Sequence, residues 1–410
     1  MGTKGTTYLG MDGGGTRCRA RIEDENGRVL DEASSGPAAT RTGVENVWRA
    51  IFEATDAAAA QAGLAREGAD ALPCPEGKWT MNRLRSSAFK GAWKNYMATE
   101  EVDPRFADLD GWSLSSAMDA MWEGQLAAVA AIGHALPHIT AATEAAQSAL
   151  GDHGRIAYVG AGTSGRVAVQ DGAELMPTFA WPSERVHFIV AGGDSAFVTS
   201  IEGAEDDIDD AVRQINAARL TQHDVVIAVA ASGTTPFTVA ALQHAGSRGA
   251  VTIGVANNPG TVLLESARFP ILVETGPELI AGSTRMKAGT AQKIVLNLIS
   301  SGIMLRFGRV YRGMMVNMQP TNAKLKRRAE VMVAQIAQCD PAQAARSLEQ
   351  AEGDIKTAVL LALGLDRVDA ETILKNCDGN LRHVFAELTK DRDRHPQGTP
   401  ARTQGGAVES

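Results

Sequence analysis

Glycine, threonine and serine crowd together in Ala161-Gly162-Thr163-Ser164-Gly165-Arg166, directly after the apolar run Ile156–Gly160. Such a turn can capture an anion: glycines let backbone N–H groups close on a ligand, and hydroxyls at a helix start add donors. The spacing of Gly160, Gly162 and Gly165 matches the G-x-G-x-x-G dinucleotide fingerprint. Yet the next strand, Val186–Val190, runs into Ala191-Gly192-Gly193 and offers a ribose no carboxylate. The two hydroxyls shift the reading towards a sugar phosphate. A second turn of this type, Ala231-Ser232-Gly233-Thr234-Thr235-Pro236, follows the apolar run Asp224–Ala230. Ordinary helix capping would explain that turn alone, but a phosphate held between two such turns explains both. Glu202 and Glu205 stand three apart beside Asp206 and Asp207. They are either a solvated acidic turn interrupted by Gly203 or working carboxylates. Glu174 closes an alanine-bearing helical segment, where a negative charge opposes the helix dipole.

Positioning these residues requires alternating strands and helices. Apolar runs at Ile156–Val159, Val186–Val190, Asp224–Ala230, Ala250–Ala256 and Phe269–Glu274 alternate with helical stretches. The helices are placed through about Glu174, through Ala218, at Pro236–Ser247 and at Thr284–Phe307. The pattern predicts an α/β fold, a doubly wound five-stranded parallel sheet with ligands at the carboxyl ends of its strands. Two helices lead into it. Residues 97–330 form this domain, and 331–390 a small all-helical one with Leu361, Leu365 and Val384 in its core. A disordered tail is expected over 391–410. At the other end Thr6–Leu30 alternates as a meander turning at its glycine cluster and at Asn26-Gly27. That fragment is assigned 1–66, with a junction at 67–96.

With 410 residues, two or three domains are expected. A net charge of −8 without a long basic run argues against nucleic acid, and a small-molecule ligand fits better. Four scattered cysteines indicate neither a disulfide framework nor a zinc site, and no metal-ligand cluster is evident. No apolar run reads as long enough to span a bilayer, and no signal-peptide core is present. A cytoplasmic protein is expected.

GAGTSGR, DGAELMPTF (Asp171–Phe179), Ala191-Gly192-Gly193, EGAED (Glu202–Asp206), ASGTTP and GSTRMKAGTAQK (Gly282–Lys293) occur in this order. Together they resemble the N-acetylmuramic acid 6-phosphate etherases, built on a flavodoxin-like sugar isomerase (SIS) domain, over roughly Met97–Thr389. The resemblance implies cleavage of a D-lactyl ether from the sugar phosphate, no cofactor, and a homodimer. In the open-chain sugar the aldehyde acidifies the carbon 2 proton. A base removes it, an acid assists lactate departure, and water adds back, so two carboxyl groups suffice. By the resemblance Glu174 is the acid and Glu205 the second catalytic carboxylate. Gly162, Thr163, Ser164, Ser232, Gly233, Thr234 and Ser283 bind substrate, and Glu202 contacts sugar hydroxyls. Arg285, Lys287 and Lys293 either offset phosphate charge or line an exposed face. Leu175-Met176-Pro177 stands where the family has Cys-Pro-Pro. A non-catalytic sugar-phosphate-binding regulator is the alternative, and it would need no acid at position 174.

The segment Asp12–Thr16, D-G-G-G-T, resembles the first phosphate loop of sugar kinases of the actin and hexokinase superfamily, N-acetylglucosamine kinases of the BadF/BadG type. So short a fragment has no room for a second phosphate loop, and a remnant without ATP binding is expected. Helix arithmetic raises one further point. Glu174 lies ten residues after Ser164, about 15 Å along a helix. Either the helix breaks near Asp171-Gly172, or Glu174 serves the site of a second subunit.

Overall fold

The computed structural model describes residues 7–13, 18–24, 29–35, 97–199 and 201–394. The chain divides into two units, Met1–Ser87 and Ala88–Ser410. In the first, β1 (Thr7–Gly13), β2 (Cys18–Asp24) and β3 (Val29–Ser35) form an antiparallel meander in that order. Gly13 pairs with Cys18, and a register shift at Ile22/Glu23 precedes the pairing of Glu23 with Val29. The remainder of the kinase-like stretch, Gly36–Leu64, and the junction at 67–96 lie outside the described residues.

The second unit is built on β4 (Ile156–Gly160), β5 (Val186–Val190), β6 (Val225–Val229), β7 (Val251–Ala256) and β8 (Phe269–Leu272). All pairings are parallel, in the order β5-β4-β6-β7-β8. This is the expected doubly wound sheet, and its order reverses at β4. Helices α1 (Leu114–Ala131), α2 (Leu136–Leu150), α3 (Gly162–Ala173), α4 (Leu175–Phe179), α5 (Ile208–Ala218), α6 (Pro236–Ser247), α7 (Val262–Ser266) and α8 (Lys287–Arg306) accompany it. Both faces are buried, with period two. Ile156, Tyr158, Val225, Ile227 and Ile253 pack with Ile139 and Leu150 of α2 and with Val295 and Ile299 of α8. Ala157, Val159, Val226 and Ala228 pack with Ile215 of α5 and with Phe237 and Leu242 of α6. Covering a sheet on both sides is what makes near-continuous apolar strands the stable choice.

One buried carboxylate ties the layers together. Asp171 of α3 accepts hydrogen bonds from Tyr158 Oη (2.7 Å) on β4, and from Asn297 Nδ2 (2.6 Å) and Ser300 Oγ (3.0 Å) on α8. Burial, and then the neighbouring Asp171, push the Tyr158 hydroxyl well above the ordinary tyrosine range, so it stays a donor. Gly172 lets the helix settle here, because a Cβ would lie 2.5 Å from the Phe188 ring and 2.8 Å from that of Tyr158. Asp171→Ala is expected to cost about 3 kcal/mol, since it strands three buried donors. A chemical denaturation midpoint unchanged in that variant would refute the assignment.

Helices α9 (Ala323–Ala337), α10 (Pro341–Gln350), α11 (Ile355–Ala362), α12 (Arg367–Asn376) and α13 (Leu381–Arg394) complete the chain. Val333, Ile336, Leu348, Ile355 and Val359 fill one cluster, and Leu360, Ala370 and Val384 a second. Leu361 and Leu365 are only partly buried against them. Three element bounds differ from the sequence expectation. Helix α9 crosses the division expected at 330/331, and α13 continues to Arg394, so the first residues of the supposed disordered tail are helical. The closing helix also starts at Lys287 rather than Thr284, because the preceding residues form a turn.

The reading that no apolar run could span a bilayer is too strict. By length and composition the helical run Leu114–Leu150, with mean hydropathy 1.3 in its most apolar window, qualifies. Its second half nevertheless buries Ile139, Ala142, Ala146 and Leu150 in the core against the sheet and α8, the packing of an internal helix.

Candidate active site

Strands β4 and β6 are paired with Gly160 opposite Val229, so the turns that follow them leave the sheet side by side at its reversal point. The first turn is shaped by close packing. A Cβ on Gly160 would lie 2.8 Å from Gly165 N, and one on Gly165 would lie 3.0 Å from Gly160 O. Only two glycines allow α3 to start so near its own strand. Gly162 adopts φ +52°, which aims the first N–H groups of α3 outward. In the second turn Gly233 has φ +69°, and a Cβ there would meet Thr261 Oγ1 at 2.3 Å.

Side-chain capping is not general in this unit, since the residues before α2, α4, α7 and α8 make no capping bond. Ser113, Asp207, Asn322, Asp340, Asp354 and Asp366 each accept a backbone N–H at the start of their helices. Ala161, before α3, and Thr235, before α6, make no such bond. Thr235 thus does not cap α6 with its side chain, although Pro236 stands in its first turn. Instead Ser232 Oγ accepts from Thr234 N (3.2 Å) and lies 3.3 Å from Thr235 Oγ1, which holds the hydroxyl within the turn. Two uncapped helix starts with hydroxyls beside them form a site suited to a dianion. Ser232→Ala is expected to raise KM for a phosphorylated substrate about tenfold with little change in kcat, the signature of lost ground-state binding. A fall in kcat at constant KM would contradict that role.

On the other side of β4, the connection after β5 carries the acidic residues. A cavity of about 310 Å³ is lined by Gly162, Arg166, Ile201, Glu202 and Glu205, among others. The short turn Ala204–Asp206 also packs against α6, which joins Glu205 to the helix that follows Ser232. Glu202 and Glu205 are exposed, and Gly203 turns the chain between them at φ +72°. Thr163 faces Gly289 of α8: a Cβ there would lie 3.5 Å from Thr163 Cγ2 and 3.3 Å from Thr284 O. The turn containing half-buried Ser283 is thereby brought against the first glycine-rich turn.

Glu174 is not part of this cluster. Helix α3 runs unbroken through Asp171-Gly172, and the hitch falls at Glu174 itself, whose carbonyl already accepts from Thr178 N (3.2 Å) in α4. Its side chain is exposed, about 15 Å along the helix from Ser164. Of the three cations near the start of α8, Arg285 and Lys293 are exposed, and Lys293 pairs with Asn297. Lys287 is buried and donates to Pro277 O at 2.9 Å. Burial depresses its amine, against the pull of Glu278. Glu278 is buried too, and its carboxylate accepts the N–H groups of Lys287 and Ala288, both at 2.9 Å. Desolvation raises the Glu278 carboxyl, opposed by those two N–H groups. Helix α8 is thus capped from within and offers its first turn to no ligand.

Three contributors escaped the sequence reading. Arg166 lines the cavity and donates to Ala196 O (3.0 Å) and Thr199 O (3.2 Å), fixing the connection that carries Glu202. Its place in the glycine-rich turn was visible, its direction was not. Thr99 and Asn258 form a buried pair: Thr99 N donates to Asn258 Oδ1 (3.2 Å), and Asn258 Nδ2 donates to Thr99 Oγ1 and Ala231 O, both at 2.9 Å. Residues 159 positions apart leave no local signal. Between them they brace the start of the second phosphate turn.

Residues 138–246 match the N-terminal SIS domain of glucokinase regulatory protein, and residues 199–301 match the SIS domain. The chain is 47% identical over 290 residues to an N-acetylmuramic acid 6-phosphate etherase from Deinococcus radiodurans, covering 70% of this chain and 95% of that protein. An etherase of the same name from Geobacillus thermodenitrificans is 44% identical over 268 residues, 65% of this chain and 91% of the relative. The one from Aeromonas hydrophila is 37% identical over 284 residues, 69% and 95% respectively.

Proposed function

The chain belongs to the family of N-acetylmuramic acid 6-phosphate etherases, carbon–oxygen lyases, and from that premise we propose how its residues divide the reaction. The D-lactyl ether of N-acetylmuramic acid 6-phosphate is cleaved by elimination and hydration, giving N-acetylglucosamine 6-phosphate and D-lactate in peptidoglycan recycling. The observation that carries the residue assignment is the convergence of Glu205, Glu202 and Gly162 on one cavity beside two uncapped helix starts. The 6-phosphate sits on Thr163, Ser164, Ser232 and Thr234 and the N–H groups around Gly162 and Gly233, with Ser283 at its edge. Glu202 holds sugar hydroxyls. Glu205 takes the carbon 2 proton, and Glu174, reaching in from a second copy of the chain, protonates the departing lactate oxygen.

Two carboxyl groups from different chains suit an elimination that needs a base and an acid at once. A homodimer is supported by α1, which exposes Leu114, Met118, Trp122, Leu126 and Val129, spaced by four, four, four and three residues along one stripe. Incubating purified protein with N-acetylmuramic acid 6-phosphate should release one D-lactate per sugar, and unphosphorylated N-acetylmuramic acid should be a far poorer substrate. Tight binding without lactate release would support the regulator instead. Equal cleavage of the two sugars would sink the phosphate assignment.

For the N-terminal meander we propose a structural remnant of a sugar-kinase lobe. That reading rests on the motif Asp12–Thr16 alone, and one phosphate loop gives ATP too few contacts. Calorimetric titration is expected to show no micromolar ATP binding; such an affinity, lost in Asp12→Ala, would overturn the reading.

A further inference from the structure

At the amino ends of the strands, away from the catalytic face, a larger cavity of about 660 Å³ lies between the sheet and the helical C-terminal region. Its cations and its carboxylates occupy different depths. Asp152, Glu184 and Asp378 line it as exposed residues, whereas Arg155, Arg185 and Arg309 are half-buried and Lys356 is only 6% exposed. Arg155 pairs with Asp224 at 2.8 Å. Among the described residues no carboxylate lies within 4.0 Å of Arg185, Arg309 or Lys356. Each of these three reaches backbone carbonyls instead. Arg185 donates to Gly154 O (2.6 Å), Gly151 O (2.9 Å) and Leu150 O (3.1 Å), Arg309 to Phe179 O (2.8 Å) and Ala180 O (3.0 Å), and Lys356 to Gly379 O.

Those bonds leave donors over, because Lys356 has three and each guanidinium five. Both guanidinium groups also lie against the Trp181 indole, 4.0 and 5.3 Å from its centroid, which crowds two positive charges together. A buried acceptor completes the lining: Asn317 Oδ1 has no hydrogen-bond partner. Uncompensated cations at the bottom of a cavity carry a desolvation penalty that a bound anion relieves.

We propose that this cavity is a second binding site, one that takes a small hydroxylated anion, a hydroxy acid or a sugar phosphate. Lys356, Arg185 and Arg309 hold the anionic group, and Asn317 Oδ1 accepts a hydroxyl proton from the ligand. The inference rests on the lining and holds whether or not the chain turns over its substrate.

A bound anion would also change the protonation of Lys356. Burial holds its amine down at about 8, Asp354 raising it and Arg309 lowering it in smaller measure. An anion favours the charged form, so binding at pH 8, where the amine is about half protonated, should take up no more than about half a proton per site. Titration calorimetry on the full chain, with D-lactate, N-acetylglucosamine 6-phosphate and inorganic phosphate, in two buffers of different ionisation enthalpy, tests this.

Proton-linked binding of D-lactate or of the sugar phosphate is expected, surviving Ser232→Ala and weakened at least about tenfold, without proton uptake, in Lys356→Gln. Asn317→Ala removes only an unpaired acceptor. It should keep the fold and weaken the hydroxylated ligands more than inorganic phosphate, which decides the matter if Lys356→Gln fails to fold. Binding of D-lactate alone assigns a hydroxy acid, and of the sugar phosphate alone a phosphosugar. Binding confined to inorganic phosphate, or binding abolished by Ser232→Ala and indifferent to Lys356→Gln and Asn317→Ala, overturns the proposal.

Discussion

Glu174→Gln is expected to lower kcat for D-lactate release by about 10²–10⁴-fold while moving KM little, because glutamine keeps the shape of the side chain but has no proton to give. Lactate leaves as an alkoxide unless it is protonated as the bond breaks, so the loss falls on the transition state and spares the ground state. Stability gives the control. The Glu174 side chain is exposed and makes no hydrogen bond with the described residues, so the substitution should shift unfolding by no more than about 0.5 kcal/mol. A folded variant with kcat within a few-fold of the parent would remove Glu174 from the reaction. The comparison with Asp171→Ala is instructive: three residues earlier on the same helix, that change is expected to act through stability.

These two acids also mark what a sequence can and cannot disclose. The strands were legible because a sheet covered on both faces needs runs such as Val225–Val229, and those runs stand out between polar helices. The two glycine- and hydroxyl-bearing turns stood out because they follow strands at the point where ligands bind in this architecture, and their phosphate role is part of the proposal. The partners of Asp171 were not, since Tyr158, Asn297 and Ser300 are joined only by the packing of α3 between β4 and α8. For the same reason Lys287, placed by its spacing on either a phosphate or a solvent face, lies buried beside Pro277. The start of the tail was placed too early because a Pro- and Gly-rich composition beyond it obscured a helix that runs on to Arg394.

With substrate well below KM, co-assembling an inactive Glu174→Ala chain with a Ser232→Ala chain, itself about tenfold down in kcat/KM, is expected to restore up to about half of the parent activity per dimer. The argument starts from the helix. Since α3 runs unbroken from Gly162 to Ala173, its rise of 1.5 Å per residue sets Glu174 about 15 Å along the axis from Ser164, and no break at Asp171-Gly172 shortens the path. A phosphate held at the first turn of α3 therefore leaves the lactyl ether within reach of Glu202 and Glu205, which share a cavity with Gly162, and beyond reach of Glu174 in the same chain.

The proposed two-fold dimer would resolve the difficulty by carrying the exposed Glu174 of each copy to the other's glycine-rich turns. The apolar stripe of α1 supplies a surface that such a pairing would cover. In the mixed dimer one site then combines both substitutions and is dead, while the other combines an intact Ser232 with an intact Glu174. Differential tags allow the heterodimer to be purified away from both parents, and D-lactate release reports its activity. Purified heterodimers no more active at low substrate than the Ser232→Ala parent would place both groups in one chain and require the chain to rearrange near Glu174 during the reaction.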